Sequence, residues 1–136
     1  MARILVIEDE APIRGNLLRF IRLEGYEAVE AADGRSGLQA VHDQLPDLIF
    51  CDVMMPQLNG LDLLAAIQQA PALRHIPLIF LSASAEPELL DEALRRGARG
   101  YLTKPFNFTQ LRAVLQQHLP LNMTTGSPQP SKLTFD

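Results

Sequence analysis

Four short apolar runs in this 136-residue chain each end in side chains that can do charge chemistry. Glu8-Asp9-Glu10 follow Ile4-Leu5-Val6-Ile7, and Asp52 follows Leu48-Ile49-Phe50-Cys51. Ser82 follows Leu78-Ile79-Phe80-Leu81, and Lys104 follows the weaker run from Gly100 to Thr103. Three carboxylates, Glu8, Asp9 and Asp52, gathered in one place repel one another unless a cation joins them. An all-oxygen set with no converging His or Cys suits a hard ion, Mg²⁺ or Mn²⁺, that keeps several waters and can also grip a phosphate. Lys104 adds a compact positive charge for a carboxylate or for phosphoryl oxygens, and Ser82 adds a hydroxyl donor. A carboxylate nucleophile in that company is suited to phosphoryl transfer onto an aspartate, where catalysis is mostly positioning and charge neutralisation.

Each residue alone has an ordinary structural explanation. Glu8 and Asp9 favour the start of a following helix, and Asp52 fits a turn before Pro56 and Asn59-Gly60. Ser82 fits a helix-cap region, and Lys104 fits a solvated strand end. What these explanations do not account for is the coincidence of all of them at one edge of one sheet.

The elements that must position these residues are legible from periodicity. The runs from Ile4, Leu48 and Leu78 are short, β-rich and apolar on both faces. Tyr26 to Ala31 is weaker and carries Glu27 and Glu30, as an edge strand with a wetter side does. Between the strands the spacing becomes helical: Ile13, Leu17 and Ile21; Leu38, Val41 and Leu45; Leu61, Leu64 and Ile67; Leu90, Ala93 and Leu94; Leu111, Val114 and Leu115. The second helical segment covers about residues 36–44, between Asp33-Gly34 and Pro46. Five strand-then-helix units predict an α/β domain, doubly wound, with a five-stranded parallel sheet and helices on both faces. In such a sheet ligands bind beyond the carboxyl ends of the strands, where the polar residues fall.

Composition agrees with one globular domain: 47% of residues are hydrophobic and 21% charged, enough to build a core. No apolar run reaches the length of a membrane span, and the N-terminus lacks a signal-peptide pattern, so no membrane role is expected. The single cysteine, Cys51, excludes a disulfide framework and fits a cytoplasmic location. A net charge of −4 argues against direct nucleic-acid binding. Only two lysines occur, Lys104 and Lys132, which makes the placement of Lys104 informative. After Leu119 periodicity stops; the domain is read as 1–119 and residues 120–136 as a Pro-rich polar tail or linker.

Glu8-Asp9, Asp52 in Asp-Val-Met-Met-Pro, Asn59-Gly60, Ser82-Ala83 and Thr103-Lys104-Pro105-Phe106 resemble the response-regulator receiver family of two-component signalling over about residues 3–119. The resemblance implies a flavodoxin-like strand order 2-1-3-4-5. It further implies that Asp52 accepts a phosphoryl group from a sensor histidine kinase or phosphotransfer protein, making the chain a phosphorylation-dependent switch rather than a metabolic enzyme. Mg²⁺ would be held by Asp9, Asp52 and the Met54 carbonyl, with Glu8 helping through water. Ser82 and Tyr101 would be the switch residues, Ser82 bonding the phosphorylated Asp52 and Tyr101 swinging inward. The Lys104–Pro105 bond is cis in the family, and Met54 and Ser84 occupy positions that tune dephosphorylation. The partners implied are the kinase and a downstream protein or output domain. Members that dimerise often carry two acidic residues just ahead of the last strand, where this chain has Arg99-Gly100; monomer and phosphorylation-dependent dimer both stay open.

The same residues bear on other functions. A metal-dependent phosphatase commonly needs an acid two residues after its nucleophile, and Met54 stands there. A flavin or nucleotide module of this class needs a phosphate-binding turn after the first strand, where the chain is acidic. A phosphorylation-independent binding module is signalled by loss of Asp52, Lys104 or the acid pair, and all are present. His42, His75 and His118 share no ligand spacing, Cys51 reads as packing, and Arg95, Arg96 and Arg99 read as a solvated helix end. Phe106 and Phe108 are expected in the core. Lys132-Leu133-Thr134-Phe135-Asp136 faintly resembles the start of an output domain such as a diguanylate-cyclase-like module.

Overall fold

The computed structural model describes residues 1–55, 58–83 and 86–119. Strands and helices alternate without exception: β1 (Arg3–Ile7), α1 (Ala11–Leu23), β2 (Glu27–Ala31), α2 (Gly34–Gln44), β3 (Leu48–Asp52), α3 (Gly60–Gln68), β4 (Leu78–Ser82), α4 (Pro87–Arg95), β5 (Gly100–Thr103) and α5 (Phe108–His118). All strand pairs are parallel, and the order is β2-β1-β3-β4-β5. The expected doubly wound sheet and its strand order are therefore present, with β2 at an edge.

Alternation along the strands feeds two separate cores, because successive side chains point to opposite faces. Ile4, Val6, Leu48, Phe50, Ile79 and Leu81 pack with Leu17 and Ile21 of α1 and with Leu111 and Leu115 of α5. Leu5, Ile7, Ile49, Cys51, Leu78 and Phe80 pack on the other face with Val41 of α2, with Leu63, Leu64 and Ile67 of α3, and with Ala93 of α4. Both faces of β1, β3 and β4 are thus buried, which is why their sequences are continuous apolar runs.

Helix starts follow local chemistry. Asp33 caps α2 through the Ser36 N–H at 2.8 Å, Asn59 caps α3 through the Asp62 N–H at 2.9 Å, and Asn107 and Gln110 form a capping box on α5. Pro12 and Pro87 stand in the first turns of α1 and α4, where a missing N–H costs nothing. Gly60 permits a close approach: a Cβ there would lie 2.6 Å from the Asp52 carbonyl oxygen and 2.7 Å from the Phe80 ring. The start of α3 is therefore held directly against the strand end that carries Asp52.

The helices are unequally anchored. α1 buries Leu17, Leu18, Phe20 and Ile21, whereas α4 buries only Leu90 and Ala93. Amide hydrogen exchange is accordingly expected to be faster in α4 than in α1 by about tenfold or more, since opening a helix exposes what it buries. Equal protection of the two helices in a native-state exchange series would show that burial does not set their local stability.

One expectation about the core is corrected. Phe106 is partly buried against the α1/α5 core, but Phe108 is 57% exposed. The Phe108 ring stacks on Phe20, with centroids 4.6 Å apart and planes 13° from parallel, and more than half of the residue stays exposed. Arg112 lies over Phe20 as well, 5.6 Å from its centroid, and its guanidinium makes a two-pronged pair with Glu24 at 3.0 and 3.1 Å. Phe108 serves as the outer layer of an α1–α5 seam rather than as core.

Candidate functional site

Parallel strands deliver their last residues to one rim, and the ladder extends past each end. The Glu8 N–H donates to the Ala31 carbonyl at 3.1 Å, the Val53 N–H to Leu81 at 3.1 Å, and the Lys104 N–H to Ser82 at 2.8 Å. Asp52 and Ser82 are the final residues of β3 and β4. Glu8, Asp52 and Ser82 are the buried polar or charged residues among those described.

One carboxylate oxygen from each of Glu8, Asp9 and Asp52 lies within 4.8 Å of the other two. Lys104 reaches across from the end of β5: its Nζ is 3.0 Å from Glu8 Oε1, 3.3 Å from Asp52 Oδ2 and 3.7 Å from Glu10 Oε1. Glu8 Oε2 accepts the Glu10 N–H at 3.1 Å, and the Met54 N–H makes a long bond to Asp52 Oδ1 at 3.4 Å. The buried Glu8 Oε1 is close enough to the ammonium for ion pairing but lacks the alignment of a hydrogen bond.

Burial pushes the Glu8 carboxyl up to about 7, against the Lys104 ammonium and the Glu10 N–H, with the Asp52 charge adding to the rise. Asp52 is likewise raised by burial, although Lys104, Glu8 and the Met54 N–H oppose it. The two carboxyls titrate as a pair. Burial works on Lys104 in the opposite sense, lowering its basicity, but Glu8 and Asp52 together outweigh that and leave the ammonium raised and charged. Burial also raises the Cys51 thiol, helped by the negative charges of Asp52 and Glu8, so this cysteine packs and does not react.

Three clustered carboxylates face one ammonium, the donors are all oxygen, and one buried carboxylate oxygen lacks a hydrogen bond. The acidic cluster can hold a metal ion, and the chemistry of its donors fits a hard divalent cation.

The sequence profile of the response regulator receiver domain matches residues 4–116. The chain belongs to that family. Receiver domains are signalling domains of two-component systems rather than conventional enzymes, and in general they work with histidine kinases and output domains. The transcriptional regulatory protein PdtaR of Mycobacterium tuberculosis is 39% identical over 110 residues, covering 80% of this chain and 52% of that protein. The phosphate regulon transcriptional regulatory protein PhoB of Escherichia coli is 35% identical over 123 residues, 88% of this chain and 54% of that protein. The receiver chain thus spans about half the length of these curated relatives. Among solved structures, chemotaxis protein CheY4 of Vibrio cholerae superposes with a TM-score of 0.82 at 34% identity, over 88% of this chain and 99% of that one.

Most of the residues singled out by sequence meet in this receiver site: Glu8, Asp9, Asp52 and Lys104 directly, with Ser82 closing the neighbouring strand. Met54 stands at the mouth, 74% exposed. Tyr101 lies on β5 with its side chain outside the core, 39% exposed. The Lys104–Pro105 bond is cis. Ser84 and the tail or linker from 120 to 136 lie outside the described residues, as does Pro56. His42, His75 and His118 fall on separate segments, and Arg95 and Arg96 both pair with Glu92 at the end of α4. Among the described residues no helix is long and apolar enough to cross a membrane.

Two contacts were not visible in the sequence. Glu10 supplies the N–H that holds Glu8, and Arg14 donates Nη1 to the Glu8 carbonyl at 2.7 Å. Helical spacing places Arg14 one turn after Glu10, but only the fold shows which way its side chain turns.

Proposed function

We propose that Asp52 is the phosphoryl acceptor and that its donor is a phosphohistidine of a sensor histidine kinase or phosphotransfer protein. The observation carrying this reading is a buried carboxylate, Asp52, set 3.3 Å from a charged lysine within an acidic cluster at the sheet rim. An Asp52 oxygen attacks phosphorus as the P–N bond breaks, and its electron pair returns to the imidazole nitrogen. In the reverse sense of the switch, water attacks phosphorus, the Asp52–phosphorus bond breaks, and inorganic phosphate leaves.

Asp9, Asp52 and the Met54 carbonyl would hold Mg²⁺, or Mn²⁺, with Glu8 acting through water. When bound, the ion supplies charge neutralisation for the transferring phosphoryl group. Lys104, already paired with Asp52, turns toward the phosphoryl oxygens and balances their charge. Ser82 donates its hydroxyl to the phosphorylated Asp52, and Tyr101 moves from its exposed position into the space that this opens. A group of charge near −2 thereby reorganises donors around it and alters a surface read by a downstream protein or output domain. On this reading residues 1–119 are the receiver unit, acting in the cytoplasm as a monomer or as a dimer formed on phosphorylation, and the chain's only catalysis is its own Mg²⁺-dependent phosphorylation and dephosphorylation.

Intact-mass spectrometry after incubation with Mg²⁺ and acetyl phosphate tests the proposal. A single phosphoryl adduct is expected on the wild type, absent in Asp52→Asn and absent in EDTA. No adduct on the wild type, together with failure to bind a fluoroberyllate mimic, would leave a phosphorylation-independent binding module as the better account.

A further inference from the structure

The peptide between Glu8 and Asp9 carries two of the three clustered carboxylates, so its orientation decides where their side chains start. β1 ends at Ile7. The Glu8 N–H is still fixed by the Ala31 carbonyl, while the Glu8 carbonyl accepts from Arg14 Nη1 at 2.7 Å. The same guanidinium donates Nε to Glu30 Oε1 at 2.9 Å, on the exposed part of β2. Its side chain is 19% exposed and bridges three elements: the turn after β1, α1 itself and β2. A planar fork can satisfy two acceptors in two directions at once, whereas an ammonium is a point donor on a looser stem.

We propose that Arg14 is a positioning residue, holding the Glu8–Asp9 peptide so that both carboxylates face Asp52 before any cation arrives. The proposal rests on the metal-dependent acceptor reading above and adds to it the group that preorganises the acidic turn. Glu30 acts one step further out, by orienting the guanidinium. Neither residue touches the reacting atoms.

Charge and positioning make opposite demands on the same substitution. If Arg14 acted only as a positive charge beside an anionic cluster, removing it would deepen the negative potential and tighten cation binding. If it positions the turn, removing it leaves a carbonyl without its donor, lets the peptide rotate and loosens cation binding.

The test uses the full chain with Arg14→Met, Arg14→Lys and Glu30→Gln. Mg²⁺ affinity is measured by titration calorimetry, and exchange of the Asp9 and Glu10 amides is followed by NMR in EDTA. Arg14→Met is expected to raise the Mg²⁺ dissociation constant by about tenfold, with Arg14→Lys recovering part of the loss and Glu30→Gln showing a smaller one. The Asp9 and Glu10 amides should exchange faster in Arg14→Met while those of β3 do not. Acetyl phosphate reactivity should fall at limiting Mg²⁺ and return at saturating Mg²⁺, a change in apparent metal affinity rather than in maximal rate. Unchanged or tighter Mg²⁺ binding by folded Arg14→Met overturns the proposal. Should that variant not fold, unchanged affinity in both Arg14→Lys and Glu30→Gln overturns it instead. A wild type that binds no Mg²⁺ overturns the acceptor reading and this proposal together; a wild type that binds alongside an indifferent Arg14→Met overturns this one alone.

Discussion

In metal-free buffer at about pH 8, Glu8→Gln is expected to be more stable than the wild type by on the order of 1–3 kcal/mol. Burial raises the Glu8 carboxyl from its ordinary 4.5 to about 7, so the folded chain holds a proton that the unfolded chain has already released. Stability from this group is fully present below about 4.5 and is lost as pH rises through about 7, because over that window the native state must give up a proton it prefers to keep. An amide of the same shape carries no such penalty. The effect should shrink in Mg²⁺, which replaces the proton and stabilises the wild type by about 2.7 kcal/mol at one hundred times its dissociation constant. Urea unfolding across a pH series, in EDTA and then in Mg²⁺, measures both arms. A variant less stable than the wild type on the alkaline side would mean that pairing with Lys104, rather than desolvation, governs Glu8.

Lys104→Met is expected to slow phosphorylation by acetyl phosphate about 10²- to 10³-fold, the usual cost of removing one preorganised charge donor from a transferring group. Mg²⁺ affinity should not fall with it. The ammonium lies within ion-pair distance of Glu8 and Asp52 and competes with a cation for both, so its loss makes the cluster more negative. Time-resolved intact-mass measurement of the adduct, beside calorimetric titration of Mg²⁺, separates the two. Parallel losses of metal affinity and transfer rate would instead assign Lys104 to holding the carboxylates in place. Without the ammonium, the largest influence opposing burial at both Glu8 and Asp52 is gone and both should titrate higher still, steepening the loss of metal-free stability with rising pH.

The sheet was legible because β1, β3 and β4 are buried on both faces: Ile4 to Ile7, Leu48 to Cys51 and Leu78 to Leu81 can hardly be anything but inner strands. The rim was legible for a related reason, since a polar side chain directly after such a run marks the carboxyl end of a strand. Boundaries moved by a residue or two. Asp52 and Ser82 close their strands rather than follow them, and α2 begins at Gly34, drawn back by the Asp33 cap. Phe108 misled because hydrophobicity does not say how many sides of a ring are covered; its stack on Phe20 needs α1 and α5 side by side. Arg14 escaped notice for the same reason. A guanidinium that serves a backbone carbonyl and a glutamate in another strand leaves no local periodic signal, and its role exists only once β1, α1 and β2 are assembled.

The unequal anchoring of the helices has a mechanical meaning. On one flank, α1 and α5 are riveted by Phe20, Phe108, Arg112 and Glu24, while on the other α4 rests on little more than Leu90 and Ala93. Ser82 at the end of β4 leads into α4, and Lys104 at the end of β5 leads into α5. The rim thus joins a flank with many buried contacts to one with few, and local opening costs least where least is buried. The flank that buries least is the one expected to open first, and α4 lies on it.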